Sequence, residues 1–328
     1  MAMAALLGGR IESLPEPRIH YYPIRSHASD RWMNAFALMG TSKILCSDAG
    51  GWAAMYNAEA HSFLSLPELK SPKGPRYVAA SIPRTAAADF EIHPDVDSAM
   101  FGGRLRGDHT DSLYMMDMVP GEARSFEVLA CYPGSRWRWR PLPPPPFLDD
   151  PNYRTPDGIS FAMVGDGAST ICVSSDRATY CFDTVAMRWS KAGDWVLPFR
   201  SRLEHDAELG MWFGISARRP GELCALDLSA VASGSSCGEP PAVRRVGLDV
   251  DPPGNWVLIN EALVSLGSGR FCIAKFFDVI DEWDDYEAHV VAFTGVEVVR
   301  SDEDEEGGLS MVNHKTECLL TDDIEWVL

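Results

Sequence analysis

Two spacings are missing from this chain: it has no C-x-x-C pair, and no apolar run approaches the roughly 20 residues a membrane-spanning helix needs. The first absence excludes a zinc module or a thioredoxin-type redox motif, and the second excludes a spanning helix. Positive charge is also scarce. The 29 Lys and Arg residues face 47 Asp and Glu, a formal net charge of -18 that repels nucleic-acid phosphates and anionic membrane surfaces at long range. A protein partner with a basic surface is therefore expected, with no nucleic acid and no membrane. The leader "MAMAALLGGR" lacks a charged n-region and is too short in apolar residues for a signal peptide, so the expected location is cytoplasm or nucleus. Helix-type periodicity is scarce as well.

What is present is a chain of 328 residues, 46% of them hydrophobic, with 27 Gly and 23 Pro punctuating it throughout. Between these breakers lie short β-branched or aromatic runs, among them "MNAFALM", "SLYMMDM", "SFEVLAC", "ATYCFDT" and "GMWFGIS", which read as strands joined by turns. The expected class is all-β. The eight cysteines, at 46, 131, 172, 181, 224, 237, 272 and 318, fall partly within such runs, as in "STICVSS" and "RFCIAKFF", and are read as reduced, buried thiols.

Several strands share one grammar. An apolar residue, then Asp or Asn and a turn, recurs at Tyr56-Asn57, Met116-Asp117, Phe182-Asp183 and Leu226-Asp227, and the returning strand often ends in an aromatic or in "LP". That order suits the third and fourth strands of a propeller blade. Five repeat units follow, with a sixth available from the termini, where "IHYYPI" (19–24) and the C-terminal strands would share one part of the ring and remove its open edge. The expectation is a β-propeller of five or six four-stranded blades, with residues 1–18 a flexible leader and 19–328 a single domain.

"TYCFDTVAMRWSKAGDWVLPF" (179–199) sets Tyr180 beside Cys181, yet in a strand these point to opposite faces and form no common site. Asp183 caps its own turn, and Trp189 fills the gap between neighbouring blades. "GSSCG" (234–238) has the G-x-S-x-G spacing of a nucleophile elbow around Ser236, but "EPPAVRR" follows it where the elbow requires a helix. "HPDVD" offers His93, Asp95 and Asp97, and "EHDAE" offers Glu204, His205, Asp206 and Glu208. Such imidazole and carboxylate sets hold a metal only if further ligands converge, and they read as solvated loops.

In "RWRWRPLPPPPF", alternation sends Trp137 and Trp139 into the packing and Arg136, Arg138 and Arg140 outward. The proline run favours polyproline II and has the shape an SH3-type groove reads, though a stiff connector between blades is the preferred reading. Two acidic stretches remain, "DVIDEWDDYE" (278–287) and "SDEDEEGG" (301–308); both lie between strand candidates and read first as solvated loops. Trp283 and Tyr286 supply aromatic anchors among Asp281, Glu282, Asp284 and Asp285. These six residues, with Arg140, form the candidate partner-binding set. No catalytic, cofactor-binding or metal-binding residue is assigned.

"SLYMMDM…FEVLACY…WRWRPLPPPPF", "ELGMWFGIS…LCALDLS" and "FTGVEVVR…LSMVNHKTE" together resemble a plant family, expanded in grasses, known as domain of unknown function 1618. The resemblance runs from about residue 33 to the end. It implies a kelch- or galactose-oxidase-like propeller, while the copper ligands of galactose oxidase find no matching positions here. Many relatives carry an F-box before the propeller; here the stretch before residue 33 holds Pro15, Pro17 and a strand candidate rather than F-box helices. The function expected from all this is a non-enzymatic protein-interaction module. The alternative is a hydrolase or oxidoreductase with its site in a central channel.

Overall fold

The computed structural model describes residues 12–13, 19, 35–48, 50–74, 76–83, 111–121, 125–132, 136–234, 238–249, 251–281, 283, 286–300, 308–321 and 327. The short β1 (Glu12–Ser13) comes first. Four strands then form an antiparallel unit: β2 (Ala35–Met39), β3 (Lys43–Ser47), β4 (Ala53–Asn57) and β5 (Ser62–Ser65). A second unit contains β6 (Tyr77–Pro83), β7 (Asp111–Asp117), β8 (Phe126–Tyr132) and β9 (Arg136–Pro141). The third has β10 (Phe161–Val164), β11 (Thr170–Ser174), β12 (Thr179–Asp183) and β13 (Arg188–Gly193). In the fourth are β14 (Phe199–Asp206), β15 (Met211–Ser216), β16 (Glu222–Leu226) and β17 (Val243–Leu248), with the helix α1 (Ser229–Ala232) between β16 and β17 in the chain. The last unit is built of long strands, β18 (Trp256–Gly267), β19 (Arg270–Ile280), β20 (Tyr286–Arg300) and β21 (Leu309–Thr321).

At three junctions the first strand of one unit meets the first strand of the next. β2 lies against β6 and β14 against β18, while β10 and β14 pair in parallel through Phe161 with Arg202 and Ala162 with Leu203. Successive sheets stack face to face, so interior strands are buried on both sides and read as continuous apolar runs. "SLYMMD" shows why. Alternate residues of a strand point to opposite faces, and accordingly Leu113 and Met115 join the core between the first and second units, while Tyr114 and Met116 join the core between the second and third. Two further cores follow in the same way, one around Leu203 and Trp212 and one around Phe213 and Phe271. The architecture is all-β and propeller-like.

The expected Asx turns are present. The Asp183 carboxylate accepts the N–H groups of Val185 and Ala186, both at 2.8 Å, and Asn57 does the same for Glu59 and Ala60. Asp117 and Asp227 each accept one N–H two residues on. Three of the four sit after the third strand of a unit, whereas Asp117 ends the second, so the grammar marks turns at both ends of the sheets. The closing Trp has a specific partner in each of two units. Trp139 Nε1 donates to the Pro67 carbonyl at 3.0 Å, and Trp189 Nε1 donates to the Pro143 carbonyl at 2.9 Å. Each bond runs from the outer strand of one unit to the "LP" connector of the unit before it, which explains why Trp and "LP" recur together.

Trp189 is only partly buried, packing on Phe126, Phe147 and Phe182 with its nitrogen edge near solvent, in contrast to the 5% exposed Trp139. Trp189→Ala should therefore cost about 3 kcal/mol, the lower end for a truncated Trp, which urea unfolding would measure. Phe182 and Cys181 enter different cores, as alternation requires. One expectation fails: Cys172 and Cys181 are directly opposed across β11 and β12, with Cα atoms 4.2 Å apart, and form a disulfide. Cys46, Cys224, Cys272 and Cys318 are free thiols.

The two ends of the chain meet in one sheet. β21 pairs in parallel with Glu12–Ser13 on one side and antiparallel with β20 on the other. Of "IHYYPI", only Ile19 falls within the described residues.

Candidate functional site

The β19–β20 hairpin carries the aromatic anchors singled out in the sequence. Ile280 and Tyr286 form its last cross-strand pair, beyond which Trp283 is 73% exposed and Tyr286 58%. Asp281 shapes this turn, since its Oδ1 accepts the Trp283 N–H at 2.8 Å. Glu282, Asp284 and Asp285 lie outside the described residues.

Directly opposed residues in adjacent strands share a face. Val257, Asp278 and His289 form such a row across β18, β19 and β20. His289 Nδ1 lies 2.5 Å from Asp278 Oδ1, and the Tyr286 ring packs at a tilt against the imidazole, with ring centroids 4.8 Å apart. Val257 and Ile259, at the start of β18, are about half exposed. One end of the last sheet thus presents four large apolar side chains, Val257, Ile259, Trp283 and Tyr286, beside the carboxylates of Asp278 and Asp281. Such a surface can desolvate an apolar anchor and hold a cation against an aromatic face. Val257, Ile259 and His289 were not anticipated. The apolar run in "NWVLIN" was the available signal, but a two-sided apolar run looks the same whether it is buried or exposed.

Arg140 is not part of this surface. It lies on β9 in the second unit, opposite Val128, and is half-exposed. The proline stretch beyond it is packed down: Leu142 and Phe147 are buried, the Leu142 N–H bonds to the Phe126 carbonyl, and the Pro143 carbonyl accepts Trp189. That arrangement is a connector. Trp137 and Trp139 enter the core and Arg138 points to solvent, as alternation predicts.

The "EHDAE" residues do not converge. Asp206 is consumed by its own turn, accepting Glu208 and Leu209 N–H groups, and its other oxygen takes the Gly269 N–H of the next unit at 2.7 Å. Glu208 accepts the Ser268 hydroxyl, and His205 stacks on Trp212 at 4.3 Å. Glu204 is mostly buried; burial pushes its carboxyl above the usual carboxylate range, opposed by the Arg202 guanidinium 3.1 Å away. Arg202, Glu204, His205 and Trp212 line a cleft of ≈ 780 Å³ where β10 and β14 diverge, with α1 on its far side. A second cleft, of ≈ 500 Å³, lies between Trp195–Pro198 and β17. Among the described residues no three His, Cys, Asp or Glu side chains are grouped to hold a metal ion. His93, Asp95, Asp97 and Ser236 lie outside the described residues.

A family model described as "Protein of unknown function (DUF1668)" matches residues 3–319; the family number expected from the resemblance, 1618, is thereby corrected. No curated protein matches the chain. Among solved structures, a chain of the complex of KlAtg21 with the coiled-coil of AgAtg16 is similar at TM-score 0.39 and 9% identity, over 86% of this chain and 69% of that one. The N-terminal domain of Nup159 matches at TM-score 0.35 and 8% identity, over 87% of this chain and 62% of that one. Apo AztD from Citrobacter koseri matches at TM-score 0.36 and 14% identity, over 86% and 75%. Likenesses of this order carry no argument about what the chain binds or does.

Proposed function

The chain belongs to the family described as Protein of unknown function (DUF1668), and from that premise we propose that it is a non-enzymatic β-propeller, a single domain over 19–328, that binds another protein. The observation that carries this reading is the exposure of Trp283 and Tyr286, 73% and 58%, at a hairpin tip beside Val257 and Ile259. Large aromatics normally bury their surface, and hot spots of protein interfaces are rich in them. Kelch-like blades, five or six in number, would account for the stacked four-stranded units. The partner has a basic surface, because Asp278 and Asp281 border the anchors and the sequence adds Glu282, Asp284 and Asp285 in a chain of net charge -18. Nucleic acid and anionic membranes are disfavoured by the same charge, and the proposed location is cytoplasm or nucleus. An enzymatic reading would start from Glu204, but the ion pair with Arg202 occupies that carboxylate.

The test is a pull-down from source tissue followed by surface plasmon resonance with the captured partner. Trp283→Ala should speed dissociation about five- to thirtyfold, the loss of one anchor worth about 1–2 kcal/mol. Neutralising Asp281, Glu282, Asp284 and Asp285 should slow association at low salt and leave thermal stability unchanged. Equal rates for wild type and both variants would remove these residues from any interface.

A further inference from the structure

The cleft of ≈ 500 Å³ between Trp195–Pro198 and β17 has a lining that runs from apolar to charged. Side chains two residues apart in a strand share a face, so Leu226, Cys224 and Glu222 follow one another along β16. On β17, Val243 stands opposite Leu226 and Arg245 opposite Cys224. Pro240 and Pro241 just precede Val243, which makes the Leu226 end apolar, and the buried Trp195 and Leu197 belong to the facing wall. The Glu222 end carries Ser216 and Arg218 instead. There the Ala217 N–H bonds to the Pro198 carbonyl at 2.9 Å and ties the turn bearing Arg218 to that wall.

The charges at this end are not balanced. Glu222 is already met, with Arg245 Nε 2.9 Å from its Oε1 and Arg219 Nη1 at 3.9 Å. The Arg218 side chain pairs with none of the described residues, and only its backbone N–H is bonded, to the Ser216 hydroxyl. Cys224 adds no negative charge, because burial, reinforced by Glu222, pushes its thiol up to about 11. One guanidinium thus remains without a counter-charge at the end of an apolar cleft, in a chain whose net charge is -18.

We propose that this cleft binds a small apolar molecule carrying one carboxylate, with its body against Trp195, Leu197 and Val243 and its carboxylate on Arg218. The volume falls within that of small-ligand sites, roughly 300–1,000 Å³, whose walls are mostly apolar with a few polar groups that fix orientation. A guanidinium presents paired N–H donors that match a carboxylate. A phosphate group carries nearly two charges and would set the surplus against Glu222. The site lies in the fourth unit and the Trp283 tip in the last, so the two proposals stand or fall separately.

Calorimetric titration of the full chain with phenylbutyrate, octanoate, phenylbutyramide and acetate tests this. The two apolar acids should bind with Kd below about 1 mM. The amide, with the same body and no charge, should bind about fivefold more weakly, and acetate should not bind at up to about 10 mM. Arg218→Gln should weaken the acids about fivefold and leave the amide unchanged, a difference that altered cleft shape would not give. Val243→Asp, at an exposed strand position, should weaken acids and amide alike by at least about tenfold. Trp283→Ala should change none of these values. Failure of both acids to bind, equal wild-type affinity for acid and amide, or an Arg218→Gln variant that holds the acids as tightly as wild type would each overturn the proposal.

Discussion

Deletion of residues 309–328 is expected to abolish cooperative thermal unfolding and leave an aggregating chain. β21 is interior to its sheet, pairing with β20 from Arg300 and Leu309 through to His289 and Thr321, and with Glu12–Ser13 on its other side. Without it, the 15-residue β20 becomes an open edge bearing Val290, Val291, Val296 and Val298, all now buried. Met311, Cys318 and Leu319 are lost from three separate apolar clusters. The combined loss is comparable with the whole stability of a domain, roughly 5–15 kcal/mol. Calorimetry with light scattering would decide the matter: a truncated chain that melts in one cooperative transition as a monomer would show that the terminal strand is dispensable.

The second large effect concerns Lys73 and Glu127, whose side chains are both fully buried and 2.7 Å apart. Glu127 on β8 also accepts the N–H groups of Lys70 and Ser71, so one carboxylate fastens the connector leaving the first unit onto the second. Glu127→Ala strips the Lys73 ammonium of its carboxylate and leaves two backbone donors without their acceptor. A broken buried pair of this kind costs about 3–5 kcal/mol. Lys73→Met combined with Glu127→Leu should recover part of that loss, since an apolar pair carries no desolvation cost, although the two N–H groups remain unmet. Urea unfolding of the three variants measures the difference. A Glu127→Ala variant within 1 kcal/mol of wild type would mean that water reaches the site.

Neither residue of that pair stood out in the sequence. "SPKGP" reads as a loop and "FEVLAC" as an apolar strand with one outward acid, and only the stacking of two units brings Lys73 onto Glu127 across 54 positions. Asp249 and Lys275 form a similar buried pair between the fourth and last units, at 2.7 Å. Their legibility fails for the same reason. The hairpin tip was easier to find: Trp283 and Tyr286 sit among acids in a segment bounded by two strong strands, so aromatic exposure was a local prediction. Its extension to Val257, Ile259 and His289 depended on the register of β18, β19 and β20, which no local pattern specifies.

What the sequence determined by itself was whatever acts over a few residues. Short β-branched and aromatic runs set the strands, Asp or Asn set the turns that cap themselves at Asn57, Asp183 and Asp227, and alternation divided "LYMM" and "YCF" between opposite faces. Tertiary structure decided whatever needs two distant segments at once. It joined Cys172 to Cys181 where thiols were expected, paired Glu12–Ser13 with the C-terminal strand, and aimed each closing Trp at the proline carbonyl of the unit before.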